Sequence, residues 1–405
     1  MVLIRGEPGL SNAKRILSLS AAFAAALNGT MVMPLVVMAL NHVDGVSESM
    51  ATVIASLEIA GIALYCLIAP RLASRTPRTL AIAGVVVLAS GEALTHVLNT
   101  VPLLCAARLL TGLGEGALFS IITAEIASEK QAERIWGQIN VIGGVCMGLL
   151  LFGLSALPPV PGRGSIFLWL AGFVLLMAPL ILGVGRQRAA THAAVTGNRL
   201  PRGQIALILF VVLLVYGVQA GQWAVSGYVG DLAHIPPTRV GLFLAISSVA
   251  GFAGAVVPSL TRNPALRLWF VMAGFVVMAV SVYWFFNLIG AAHFLLGQVF
   301  VNVGFYMVTP FVTGLLTEND PDGALVLRTL VVALIGAAAG TALAGELLVR
   351  SGPAWFSLLA IAAVGAGALG ALLVFYRLHL LHGAAGGDES GSLVLPEGHI
   401  TGTRP

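Results

Sequence analysis

Arg108 and Glu115 stand seven positions apart in Arg108-Leu109-Leu110-Thr111-Gly112-Leu113-Gly114-Glu115-Gly116-Ala117, inside an otherwise apolar stretch. On a helix of 3.6 residues per turn this spacing puts both side chains on nearly one face, about 10 Å apart. A charge at mid-bilayer costs about 2.5–3.5 kcal/mol on insertion scales, so such residues face partners or water and mark ion and substrate paths. One side chain of the pair can hold charge while the other takes a proton or a substrate. Glu58, in Ser56-Leu57-Glu58-Ile59-Ala60-Gly61, has the same apolar setting and no opposite charge in its own run. It reads as a second proton carrier, with a hydrogen bond to the other half of the chain as an equal alternative. Glu92 with His96, and Glu346 with Arg350, stand four apart and read as local pairs near helix ends.

Downstream, the seventh, eighth and tenth apolar runs hold no deep charge and carry uncharged polar and aromatic groups instead. Tyr216, Gln219, Gln222 and Trp223 fall in one run, and Gln298, Asn302 and Tyr306 in another. Spacings of three and four put Tyr216, Gln219 and Trp223 on one helix face and Gln298, Asn302 and Tyr306 on a second. Amides and rings so arranged suit an organic substrate; interhelical amide bonds and aromatic belts are the alternative. Asn28 completes the expected substrate-binding set. No nucleophile elbow, Walker loop or His/Glu metal cluster occurs, so neither an enzyme nor a cofactor or metal is expected. Cys66, Cys105 and Cys146 follow no metal-ligand spacing and read as packing residues.

The elements that must position these residues follow from composition. The 405 residues are 58% hydrophobic and only 9% charged, against about one-quarter charged in a soluble domain. Runs long enough to span a bilayer, about 20 residues each, lie near 14–41, 48–69, 78–98, 102–127, 134–157 and 164–185, then near 204–230, 237–260, 266–287, 290–317, 323–349 and 354–381. The expected fold is an all-α integral membrane protein of twelve transmembrane helices in two pseudo-symmetric six-helix bundles. These are 1–185 and 204–382, joined by a cytoplasmic linker at 186–203 and followed by a Gly-rich disordered tail at 383–405. The first run, with Ala24-Ala25-Ala26, imitates a signal peptide, but its length favours an uncleaved helix. Seventeen of the 21 Lys and Arg residues fall on one side of this topology and three on the other (Arg163, Arg239 and Arg350), with Arg108 inside a helix. The positive-inside rule therefore places both termini in the cytoplasm. Basic residues scattered singly form no basic face for nucleic acid, despite a net charge of +4.

A weak repeat supports two halves: Pro70-Arg71-Leu72-Ala73-Ser74-Arg75-Thr76-Pro77 and Pro258-Ser259-Leu260-Thr261-Arg262-Asn263-Pro264 both carry Arg two positions before Pro. Small residues recur every fourth position at Gly112, Gly116, Ser120 and Ala124, at Gly144 and Gly148, and at Gly336 and Gly340, which lets helices approach closely. The run from Arg108 to Ala117 resembles the helix-4 motif of the major facilitator superfamily, an Arg followed by alternating glycines. The segment 70–79 resembles that family's loop signature and keeps Arg75 and Arg78, implying a conformational-gate loop. Ser74 and Pro77 stand where the family has Asp and Gly. The antiporter signature is absent, since no Pro lies among Gly143, Gly144 and Gly148.

The resemblance implies a secondary active transporter working by alternating access. Coupling to protons is expected through Glu115, Glu58 and Arg108, with export slightly favoured because two deep carboxylates outnumber one deep Arg. Proton-coupled uptake of an organic or aromatic acid is the alternative, and a membrane-embedded enzyme or a non-transporting sensor the reading from another class. Expected partners are a small-molecule substrate, protons and the lipid bilayer of the inner (plasma) membrane, with the chain monomeric.

Overall fold

The structure, a computed structural model, describes residues 8–72, 76–127, 132–157, 165–184, 200–261, 264–317 and 324–387. Within these residues every long element is a helix: α1 (Pro8–Ala26), α2 (Asn28–Met31), α3 (Met33–Asn41), α4 (Glu48–Ile68), α5 (Pro77–Val97), α6 (Val101–Ala127), α7 (Ala132–Ser155) and α8 (Ile166–Ile181). There follow α9 (Arg202–Ala224), α10 (Ser226–Leu232), α11 (Pro237–Gly251), α12 (Ala253–Leu260), α13 (Pro264–Asn287), α14 (Ala291–Thr317) and α15 (Ala324–Gly387). Arg75, linker residues 186–199 and the tail from 388 lie outside the described residues, while α15 is helical five residues past the expected boundary at 382.

Among the described residues, nine helices are long and apolar enough to cross a membrane. One of them is too long for a single crossing. Its apolar stretch of 53 residues would extend about 80 Å, against about 30 Å of hydrocarbon. The chain breaks at Gly352, where φ is 79° and ψ 169°, and Pro353 follows. That left-handed φ suits glycine and no bulkier residue, and proline removes a helix donor at the same place, so α15 is two arms meeting at one residue. Starts are equally local in cause. Ser47 caps α4 by accepting from the Met50 N–H at 3.3 Å, and Thr76 caps α5 from Thr79 at 3.3 Å with Pro77 in the first helical position. Outward-facing Leu149, Leu176, Leu260 and Trp269 are each about two-thirds exposed or more, a surface suited to lipid and not to water.

Packing follows the chain in two groups. Helix α6 lies against α4 and α5, with α1 against α6, α7 and α8; α14 lies against α11 and α13, and α9 against α15. Contacts between the groups run through α4 with α15, α7 with α11, and α3 with α9 and α10. The groups repeat one another in detail. Gly84 faces Ala117 and Leu118 while Gly114 faces Leu88; Gly274 faces Met307 and Val308 while Gly304 faces Met278. Every one of these positions recurs 190 places later, from 84 to 274 and from 114 to 304, as do the 27-residue helices α6 and α14 that start at 101 and 291. The match of contacts extends the weak loop repeat seen in the sequence.

The small-residue stripes divide. A Cβ on Gly112 would strike the backbone carbonyl of Glu58, and one on Gly340 the carbonyl of Gly217, so α4–α6 and α9–α15 approach backbone to backbone. On α7 the stripe serves no such approach, because nothing lies within 4 Å of the Cβ position of Gly148. We expect Gly112→Ala to lower stability by about 1–3 kcal/mol through overpacking, and Gly148→Ala to be neutral or slightly stabilising. Thermal unfolding of the two purified variants checks this ordering.

Candidate functional site

Four ionisable side chains from three helices are fully buried: Glu58 on α4, Glu92 on α5, and Arg108 and Glu115 on α6. Arg108 is the junction. One terminal guanidinium nitrogen donates to Glu58 Oε2 and the other to Glu92 Oε2 at 2.9 Å, while its Cζ lies 5.6 Å from the ring centroid of Phe167 on α8. Guanidinium suits this position because its planar fork serves two carboxylates at once and still stacks on a ring. The local pairing of Glu92 with His96 expected from four-residue spacing does not form. Glu92 turns to Arg108 across the α5–α6 hairpin, and His96 Nδ1 is buried without a partner. A full positive charge on the neighbouring helix outweighs an imidazole on the same one.

Glu115 stands apart from that ion pairing and meets the break in the first transmembrane run. The chain leaves helical geometry at Leu27 (φ −127°, ψ 15°) and again at Val32 (φ −99°, ψ 16°), isolating the four-residue turn α2. Its Gly29 N–H donates to Asn28 Oδ1 at 2.6 Å and to Glu115 Oε1 at 3.4 Å. A Cβ on Gly29 would strike the Glu58 carboxylate, so the absence of a side chain there lets Asn28, Glu58 and Glu115 converge. Irregular backbone at membrane depth survives only where protein or a polar cavity surrounds it, and broken helices of this kind bind cargo and ions. Several polar atoms in the cluster remain without hydrogen-bond partners: Glu58 Oε1, Glu92 Oε1, Glu115 Oε2, Arg108 Nε and Asn28 Nδ2. The arrangement can therefore accept a proton, or a donor group, at more than one carboxylate oxygen.

The uncharged residues lie across the α9–α14 interface. Gln219 Nε2 donates to Asn302 Oδ1 at 3.2 Å and Gln222 Nε2 to the Gly297 carbonyl at 3.4 Å. Tyr216 meets Phe305 edge-on with centroids 4.9 Å apart, and Tyr306 stacks on Phe252 at 4.9 Å. Trp223 packs in the apolar core. The two faces drawn from spacing thus touch each other, with Gln298 fully buried beside them. Arg78 is exposed in the first turn of α5. A separate cavity of about 80 Å³ opens between α3, α4, α10 and α15, with His42, Glu48, Tyr228 and Asp231 among its lining residues. None of the residues expected to bind substrate lines it. The sequence reading missed these residues and Phe167, since no spacing rule links residues on separate helices.

Several bilayer-length apolar helices around a buried charge cluster define a multi-pass membrane protein. The chain belongs to the Major Facilitator Superfamily, whose family model matches residues 18–326, which makes it a membrane transporter and not an enzyme. Solved structures share the fold at low identity. The human organic anion transporter MFSD10 (TETRAN) is 13% identical with a TM-score of 0.61, covering 89% of this chain and 99% of its own. A POT peptide transporter is 13% identical with a TM-score of 0.67, covering 93% and 95%. An auto-inhibited POT family peptide transporter is 12% identical with a TM-score of 0.66, covering 91% and 97%. No curated protein matches this chain in sequence.

If Arg108 is the junction, Arg108→Met should cost about 3–5 kcal/mol by leaving buried carboxylates uncompensated. Glu92→Gln, which can still accept a hydrogen bond, should cost less, and His96→Ala less again. Unfolding midpoints in detergent rank the three, and His96→Ala as damaging as Glu92→Gln would restore the pairing along α5.

Proposed function

We propose that this protein is a proton-coupled secondary transporter that moves a small organic molecule by alternating access, with export the favoured direction. The observation that carries this reading is the buried cluster, in which three carboxylates face one guanidinium. If all were ionised, two negative charges would lie uncompensated in a low-dielectric interior, at a cost of several kcal/mol each. Protons or a cationic cargo supply the missing balance, and exchange of one for the other is coupled antiport. Glu115 carries the proton, because one of its oxygens has no partner and the other accepts only from the Gly29 backbone. Glu58 and Arg108 hold the adjoining pair, whose strength changes with the charge of Glu115.

The twelve-span topology provides the moving parts. The first six spans are α1–α3 taken together, then α4 to α8; the second six are α9–α10, α11–α12, α13, α14 and the two arms of α15. The contact repeat between the groups supports two six-helix bundles rocking about a site between them. Asn28 contributes to cargo binding from the first bundle, with Tyr216, Gln219, Gln222, Trp223, Gln298, Asn302 and Tyr306 from the second. Arg75 and Arg78 belong to the cytoplasmic gate loop, with both termini on that side of the plasma membrane.

A specific observation favours a second reading, uptake of an organic acid with protons. Arg108 Nε is unpartnered and offers a donor to an anion, and one structure of similar fold is an organic anion transporter. Both terminal nitrogens of Arg108 are already committed, which ranks this reading below export.

Liposomes with a lumenal pH dye, given organic acids, sugars and lipophilic cations, separate the two. Substrate-dependent proton flux that falls at least about tenfold in Glu115→Gln is expected, the scale of losing a positioned proton-transfer group. Flux retained in that variant and lost in Glu58→Gln would move the proton to Glu58. Cation-driven flux supports export and acid-driven flux supports uptake.

A further inference from the structure

The offset of 190 positions places Gln298 on α14 where Arg108 stands on α6. Both residues are fully buried, but they differ in satisfaction. Arg108 has two carboxylate partners, whereas Gln298 has none on either its Oε1 or its Nε2. A buried, unmet amide leaves its desolvation uncompensated, so natural cores rarely keep one without a use. Gln222 reaches α14 at Gly297, the residue before Gln298. Its Nε2 donates to the Gly297 carbonyl, which fixes the amide orientation, since a carbonyl accepts only from the N–H end, and its Oε1 is buried without a partner.

The unmet set is thus two acceptor oxygens and one donor nitrogen with two N–H groups, and it selects among ligand groups. A carboxylate brings acceptors alone and would leave both Oε1 atoms unmet. An ammonium brings donors alone and would leave Gln298 Nε2 unmet. A primary carboxamide matches all three, giving one N–H to each Oε1 and accepting at its carbonyl from Gln298 Nε2. The rings of Tyr216, Phe305 and Tyr306 cluster two turns along α14, with centroids 4.9 and 5.2 Å apart, and suit an aromatic body on the same molecule. We propose that Gln298 and Gln222 form a subsite for a neutral carboxamide, so that an aromatic carboxamide is the cargo class this half of the protein recognises. This rests on the transporter reading for its route of entry but not on the proton assignment, because the acidic cluster lies in the other half.

Three probes with one ring and different heads test it: benzamide, benzoate and benzylammonium, titrated into the full-length protein in lipid nanodiscs by calorimetry. Benzamide should bind most tightly, and Gln298→Leu should weaken it by about tenfold or more, Gln222→Leu by about threefold to tenfold, the scale of one or two net hydrogen bonds. Benzylammonium, which can use only the two oxygens, should lose less affinity than benzamide in both variants. Proton flux in Glu115→Gln tests the coupling reading, while benzamide affinity in Gln298→Leu and Gln222→Leu tests this one, so the two can fail separately. Benzamide binding no tighter than benzoate, or unchanged in the two Gln variants, overturns the subsite. If Gln298→Leu does not fold, Gln222→Leu decides alone.

Discussion

A guanidinium kept wholly out of water is the constraint around which the first group of helices is arranged. Arg108 is tolerable only because carboxylates reach it from α4 on one side and α5 on the other, and those reaches are short only because the backbones almost touch. Gly61 lies on the backbone of Leu109 and Gly112, Gly112 on that of Glu58, and Gly91 on Thr111. The glycines cluster at the level of the charges they bring together. In this half packing and electrostatics therefore meet at one level, where close backbones bring the charges together.

The second group keeps the scaffold and discards the charge. At the positions matching Glu58, Glu92, Arg108 and Glu115 stand Ser248, Val282, Gln298 and Phe305. The helix contacts recur, so this packing does not need the ions. The buried acids and Arg108 collect in the first group, and the buried glutamines Gln204, Gln222 and Gln298 in the second. On the proposed reading, the first half responds to protons and the second reads the polarity of a cargo.

The membrane class and most helix limits were legible because apolar length is a property of the chain alone. The deep acids and Arg108 were legible for the same reason, since charge inside an apolar run needs no partner to be conspicuous. Their pairing was not. Spacing rules see one helix at a time, and they assigned Glu92 to His96 four residues away when its partner lay sixteen residues on, across a turn. Only the restart after Val32 is marked in the sequence, by Pro34 in the first turn of α3, while Leu27 carries no such sign; the stripe at Gly144 and Gly148 resembles the tight one on α6 until neighbouring helices are in place. What the sequence conceals is the set of contacts between helices, and the site is made of those contacts.

Gly352 joins the two arms of α15 with no intervening loop. The first arm packs on α9 through Gly336 and Gly340, and the second meets α9 and α13 through Gly367 and Gly370, which face Phe275 and Val211. In mechanical terms the joint is a hinge without slack. A tilt of the first arm against α4 would have to be absorbed at that one residue or handed whole to the second arm, as force passes through a bent lever with no play at its corner.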